Sequence, residues 1–411
     1  METKKNSRIQ RLNASSVRGL CLYDWLLIRY LARIEGGTLK LSLPSGAEYL
    51  LGDSTAVGAE VDLQIINKTM CKRLIFGGSM ALGEGYVKGF WQTSDLSALL
   101  TLLAGNQKKV GKLRKGLSFI KQWGATLHHK GNANTLSQSK VNIEAHYDLS
   151  NDFYKLFLDP TMTYSSARFK SKEESLEVGQ ENKIQSILDY AECSAGSEVL
   201  EIGTGWGALA LRAARRGYVV TTLTLSNEQL SYANELIDRE GVSESVALKL
   251  QDYREETGKY DAVVSCEMIE AVGREYLPSY FAKIRDSLRV GGKAVIQAIT
   301  ISDDRYEEYC RSCDWIQKYI FPGGHLPSQG AISNLVKATG GLKIQTVDSF
   351  ALDYAETLRR WRDVFNDQVE ALERLGFDSI FQRKWNYYLS YCEAGFEAGT
   401  IDVSQIVIER T

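Results

Sequence analysis

The sequence predicts an α/β chain of two domains, a larger one on a parallel sheet and a smaller α+β one before it. Three observations carry this. From about residue 180, apolar strands alternate with amphipathic helices, the pattern of a parallel sheet joined by right-handed crossovers. One strand, SEVLEIG (197–203), runs into the glycine turn TGWG and then a helix. Residues 1 to about 105 have another rhythm, with a helix, a hairpin and strands closed by a second helix.

In the first region, LCLYDWLLIRYLARI (20–34) spaces its apolar residues as a helix does. TLKLSLPSGAEYLLG (38–52) alternates about a PSG turn and reads as a hairpin. VDLQIINK (61–68) and CKRLIFGG (71–78) read as further strands, and ALGEGYVKGFW (81–91) leads to the helix DLSALLTLLAG (95–105). Residues 106–143 change character. Lys108, Lys109, Lys112, Arg114 and Lys115 fall close together, and no Asp or Glu occurs from 96 to 143. Val110, Leu113, Leu117, Phe119, Ile120 and Trp123 are interleaved with them. Such a face suits an anionic membrane surface, where each basic residue contributes roughly 1 kcal/mol. The same segment also reads as a solvated linker or helix between domains. The expected domains are therefore 1–105, 106–143 and 144–411.

In the larger domain, ENKIQSILDYAECS is an amphipathic helix. After SEVLEIG come the helix ALALRAARRG, the strand YVVTTLTLS (218–226) and the helix NEQLSYANELIDREG. VALKLQD (246–252), YDAVVSCEM (260–268) and KAVIQAI (293–299) supply three more strands. The tail from about 301 reads as helical and aromatic.

Composition narrows the function. The chain is 44% hydrophobic and 24% charged, an ordinary globular balance, and its net charge of −2 argues against a general nucleic-acid binder. No apolar run reaches the ~18 residues that span a bilayer, and METKKNSRIQRLNASS lacks the apolar core of a secretory signal. Seven scattered cysteines are no disulfide framework and point to a reducing cytoplasm. Cys310 and Cys313 form a lone CxxC without a second pair or a His at ligand spacing. No metal is expected.

EIGTGWG (201–207) is the chemical centre. Gly203, Gly205 and Gly207 let the backbone approach a ligand closely, and the helix that follows offers free N–H groups. With Glu201 before it, this G-x-G-x-G loop matches the first loop of Rossmann-like domains that bind S-adenosylmethionine; a ligand-free glycine turn is the alternative. The next strand ends LTLSNEQ (223–229), with Thr224, Ser226 and Gln229 and no acid at its tip. QDYR (251–254) ends the third strand. Asp252 there suits an adenine amino group and Tyr253 its ring, unless the pair simply opens a loop. CEMIEAVG (266–273) sets Glu267 and Glu270 at the sheet's ligand edge, as a base or anion organiser or as surface acids.

Together with IFPGGHLPS (320–328) and HYDLSNDFYKLFLDPTMTYSSARF (146–169), these motifs resemble the cyclopropane-fatty-acyl-phospholipid synthases, relatives of the mycolic acid methyltransferases, over nearly the whole chain. CEMIEAVG and SCDWIQKYIFPGG look like its plant-like branch, and ALGEGYVKGFW like its N-terminal lipid-handling domain. The resemblance implies methylene transfer from S-adenosylmethionine to a cis double bond of a phospholipid acyl chain, giving a cyclopropane ring. It implies a homodimer in the cytoplasm, peripheral on the inner face of the membrane. Tyr164 and Ser165 then hold the methionine end of the cofactor. Gly203 and Gly205 approach it through backbone, Thr224, Leu225 and Gln229 lie at the ribose, and Asp252 and Tyr253 at the adenine.

Ring faces such as those of Tyr147, Phe153 and Tyr164 suit a chain that briefly carries positive charge, at ~1–2 kcal/mol each when desolvated. The base implied by the resemblance is a bound bicarbonate. Glu270 matches its Glu ligand, Ile299 its backbone ligand and Tyr354 its Tyr. Ser166 stands where the family has Cys, and Gln297 where it has His, as in the plant-like branch. A hydroxyl still donates to bicarbonate, but the departure leaves a second product open, a methylated chain without a ring, as in methyl-branched or furan fatty acid pathways.

Overall fold

The computed structural model describes residues 9–12, 20–53, 58–107 and 149–411. Nearly all of the basic segment expected at 106–143 lies outside them, as does Tyr147. The described chain divides into two compact units. One gathers residues up to 107 with 372–400, and the other gathers 149–371 with 401–411.

The first unit holds a five-stranded sheet in the order β1-β3-β2-β4-β5. Its strands are β1 (Ile9–Arg11), β2 (Gly37–Ser42), β3 (Glu48–Gly52), β4 (Ala59–Ile65) and β5 (Trp91–Gln92). β2 and β3 are the expected hairpin. Leu39 and Leu41 point inward with no exposed surface, and the turn closes through Leu43 N–H to the Ala47 carbonyl. The expected strand CKRLIFGG is instead the start of a helix, Met70–Val87. Asn67 explains the change. Its side chain accepts from the Thr69 N–H and hydroxyl, and its carbonyl from Met70 N–H, which launches a helical turn. The helix bends at Gly78 (φ 53, ψ −134). Its glycines misled the reading because they serve packing. A Cβ on Gly85 would lie 2.5 Å from Met70 Cε and 3.1 Å from Trp91.

The helix Ser379–Glu397 packs on Met70–Val87 and Leu96–Gly105 in this unit. The buried Ser97 hydroxyl donates to Glu393 at 2.7 Å, and Arg383 Nε to the Tyr86 carbonyl at 2.8 Å. A single domain over 144–411 therefore does not hold for residues 372–400.

The second unit is Rossmann-like, with a seven-stranded sheet in the order β11-β12-β10-β9-β6-β7-β8. β6 (Glu198–Ile202), β7 (Val219–Thr224), β8 (Val246–Leu250), β9 (Tyr260–Cys266) and β10 (Leu288–Ile301) run parallel, as expected. Alternate residues face opposite layers. Ala262, Val264 and Val295 pack with the helices Leu176–Ala191 and Ala208–Arg215, whereas Val263, Ala294 and Ile296 pack with Leu277–Ser287. Each fully buried aliphatic side chain contributes roughly 1.5–3 kcal/mol.

The helical tail is corrected at two places. β11 (Leu342–Ser349) and β12 (Ile401–Arg410) are antiparallel partners, and β12 also pairs with β10 from Lys293↔Glu409 to Ile301↔Ile401. β11 is a largely exposed edge strand, so its sequence shows no clean apolar alternation. Strand order turns between β6 and β9, and a ligand crevice forms outside the strand ends at such a switch point.

Glu201 is a buried acid within this sheet. It faces Thr222 across the β6–β7 register, and the Thr222 hydroxyl donates to it at 2.5 Å. Burial pushes its carboxyl up to about 8 from an ordinary 4.5, against the pull of Thr222 and Lys183. The folded chain thus holds a proton that the unfolded chain releases. Stability falls as pH rises from the ordinary value through about 8, at roughly 1.4 kcal/mol per pH unit. Glu201→Gln removes this dependence. Its denaturation midpoint should gain on the wild type between pH 6 and 8 and level off above; a gap independent of pH would show that Glu201 does not titrate there.

Candidate active site

β6 ends at Ile202, and the chain turns through Gly203 (φ 99), Gly205 (φ 53) and Gly207 (φ 94) into the helix Ala208–Arg215. Gly205 needs its left-handed backbone and has open space beside it, since a Cβ there would meet nothing within 4 Å. Trp206 packs inward, with its Nε1–H on Asn151 and its ring 5.1 Å from Tyr154. Open space beside backbone at a helix N-terminus fits the S-adenosylmethionine that the motif implies.

At the tip of β7 the buried Thr224 and Gln229 side chains bond each other at 2.9 Å, beside the half-buried Leu225. Ser226 caps the next helix by accepting from Gln229 N–H. After β8, Asp252 is clamped by Arg254. Its Oδ1 accepts from the backbone N–H and Nε of Arg254, and its Oδ2 accepts from Nη2 at 2.6 Å. Tyr253 stands edge-on to Tyr280 at 5.6 Å, and burial pushes its hydroxyl up to about 12.

The segment 164–166 crosses the same edge. Lys183 Nζ donates to the Ser165 hydroxyl at 2.7 Å, and Gln180 donates to the Ser165 carbonyl at 2.8 Å. Both side chains are buried, and sequence reasoning missed both. The signal was there: positions 180, 183, 184, 187 and 188 form the apolar stripe of the helix, and two of them are polar. Tyr164 lies between Tyr154 (5.2 Å) and Trp361 (5.3 Å). Phe153 is corrected. It has no exposed surface and packs among Tyr154, Phe157 and Phe365, so it is core beneath the site and offers no open ring face.

The groups matched to a bicarbonate ligand set do come together, but around glutamates. Glu267 Oε1 accepts from Ser166 N–H at 2.9 Å and Gln297 Nε2 at 2.8 Å. Its Oε2 accepts from the Tyr354 hydroxyl at 2.6 Å. Ile299 N–H donates to Glu270 Oε1, and the Ser166 hydroxyl donates to the Ala167 carbonyl at 2.9 Å. Glu270 Oε2 is buried with no hydrogen-bond partner among the described residues. IFPGGHLPS backs the pair, with His325 N–H on the Glu270 carbonyl at 2.8 Å.

Both residues show some surface, but their carboxyl groups are enclosed. Burial, and then the charge of Glu267, push Glu270 up to about 8. Burial also raises Glu267, but the Tyr354, Ser166 and Gln297 donors and the Lys183 charge oppose it. Glu267, with three donors and the Lys183 charge against a single backbone donor for Glu270, is the better stabilised of the two as a carboxylate. Environments that split two carboxyls in this way assign acid and base roles.

The family model for mycolic acid cyclopropane synthetase matches residues 134–406. The tuberculostearic acid methyltransferase of Mycobacterium tuberculosis is 42% identical over 83% of this chain and 81% of its own length. The cyclopropane-fatty-acyl-phospholipid synthase of Escherichia coli K12 is 32% identical over 86% and 88%. A mycolic acid cyclopropane synthase solved with SAH and CTAB superposes with a TM-score of 0.62 at 30% identity, covering 66% of this chain and 98% of that one. The matched span contains every side chain placed above at the sheet edge, and the chain belongs to the mycolic acid cyclopropane synthetase family of S-adenosylmethionine-dependent methyltransferases.

Proposed function

We propose that this enzyme methylates the cis double bond of an unsaturated acyl chain of membrane phospholipid and releases the methylated chain without closing a ring. The observation that carries this is the 42% identity, over 83% of the chain, to the tuberculostearic acid methyltransferase of Mycobacterium tuberculosis. The departure at Ser166 from the ring-closing family's pattern agrees with it. Ring closure to a cyclopropane is the second reading, favoured by the family model and by the synthase of Escherichia coli.

Bound at the crevice, S-adenosylmethionine supplies an electrophilic methyl group. Gly203 and Gly205 admit it, and Thr224, Leu225, Gln229, Asp252 and Tyr253 serve its nucleoside. Tyr164 and Ser165 serve its methionine end, where Lys183 orients the Ser165 hydroxyl. The half-buried ring of Tyr164, backed by the buried Trp361, favours positive charge on the acyl chain. The glutamate pair then receives a proton. Taken from the new methyl group, that proton leaves a ring; taken from a chain carbon, it leaves a double bond.

The lipid partner is supported by the basic, Trp-bearing segment at 106–143 and by an exposed apolar set on the first unit, Leu22, Trp25 and Phe76. Arg29 lies over the Trp25 ring and Lys72 over Tyr23, giving that surface a cationic fringe for anionic headgroups. Among the described residues no helix is long and apolar enough to cross a membrane. We place the enzyme as a homodimer, peripheral on the inner membrane face.

Expression in a host lacking its own synthase, followed by mass spectrometry of phospholipid acyl chains, tests the product. A gain of one methyl carbon with a retained double bond is expected, a ring signature selects the second reading, and no gain rejects both. Lys183→Met should weaken S-adenosylmethionine binding roughly tenfold by calorimetry, the worth of one charge-assisted hydrogen bond. An unchanged Kd would confine Lys183 to neutralising the buried carboxylates.

A further inference from the structure

We propose that the Glu267 carboxylate occupies the anion position that the resemblance gives to bicarbonate, and is the enzyme's own built-in base. The inference rests on the methyl-transfer reading above and deepens it.

Three donors from separate parts of the chain converge on this one carboxylate. They are the Ser166 N–H, the Gln297 amide on β10 and the Tyr354 hydroxyl on the helix Ala351–Asp367. Gln297 is itself fixed by Gln405, whose amide donates to its carbonyl oxygen at 3.1 Å. These are the groups that would have to hold bicarbonate. Ile299 N–H is spent on Glu270, and the Ser166 hydroxyl on the Ala167 carbonyl. A second anion would find its donors taken and an ionised carboxylate facing it. The residues present do not fit bicarbonate.

Backbone geometry supports a dedicated role. Glu267 has φ 50, in the left-handed region that side chains other than glycine enter at a cost of order 1 kcal/mol. The strain aims its side chain back into the crevice, directly after β9 and beside Gln297, whose carbonyl receives the Glu267 N–H at 2.8 Å. A carboxylate accepts about four hydrogen bonds. Glu267 Oε1 takes two and Oε2 takes one, which leaves a lone pair on Oε2 for a proton. In the step assigned here, a C–H bond of the methylated acyl chain breaks. Its electron pair stays on the chain and cancels the positive charge, and the proton bonds to Oε2. Glu267 becomes a neutral acid and returns the proton to water after product leaves.

The test compares wild type, Glu267→Gln, Glu267→Gly and Glu270→Gln on phosphatidylethanolamine vesicles carrying oleoyl chains, in carbon-dioxide-free buffer with and without added bicarbonate. Wild-type turnover should ignore bicarbonate, and 13C-bicarbonate should show no line broadening on the wild-type protein. Glu267→Gln should lose about 10²-fold or more in turnover, the ordinary worth of a positioned base, with its S-adenosylmethionine Kd unchanged. Glu270→Gln, which mimics the protonated acid, should lose far less. Glu267→Gly relaxes the backbone and opens the seat, so it should broaden 13C-bicarbonate and regain at least tenfold in turnover with added bicarbonate. A wild type that needs or binds bicarbonate, or an active Glu267→Gln, overturns the inference. A wild type that methylates no acyl chain overturns the methyl-transfer reading, while the bicarbonate binding result still judges the seat.

Discussion

A negative charge enclosed at the C-terminal edge of the parallel sheet is the constraint that organises this site. An unpaired buried carboxylate would cost several kcal/mol and would take up a proton instead. Three donors and the buried Lys183 surround Glu267 and oppose the rise that burial imposes on it. Those groups come from the segment before the sheet, the helix Leu176–Ala191, β10 and the helix Ala351–Asp367, so the site is formed only when all four are in place. β12, though remote in sequence, belongs to the same construction: its Gln405 bonds Gln297, Ser186 and the Lys183 carbonyl.

This dependence explains what the sequence could and could not reveal. Strands β6, β9 and the second half of β10 were readable because they are largely apolar runs buried on both faces, whereas β7 and the edge strand β8 were readable by their alternation with helices. The glycine turn after β6 was readable because few other sequences reverse a strand into a helix so tightly. CKRLIFGG was misread because its apolar run fits either period, and the decisive term is the local Asn67 turn. β11 and β12 were missed for another reason. One is an exposed edge, and the other is held by long-range pairing, which leaves little trace in local pattern. Within the site, the motifs located Glu267 and Glu270, while Tyr354 and Gln297 came from the resemblance, which assigned them to an external anion. Which carboxylate takes their hydrogen bonds depends on the φ of Glu267, and no spacing encodes that angle.

The pairing of Glu267 with Glu270 has a chemical consequence. Burial raises both carboxyls, and the charge of Glu267 raises Glu270 further, to about 8, so the pair disfavours two negative charges near neutral pH. Because Glu270 has one backbone donor on Oε1 and an unpartnered Oε2, it is the member that keeps the proton. A neutral acid beside an ionised base lets the crevice favour positive charge on an apolar substrate without carrying a double negative charge that would draw in water and cations. The ring cluster under Tyr164 works in the same direction, since ring faces attract a cation while adding no charge and little hydration. One buried negative charge, walled by aromatic rings and held by donors that cannot leave, is enough polarity to receive one proton. The site remains apolar enough elsewhere to hold a fatty chain.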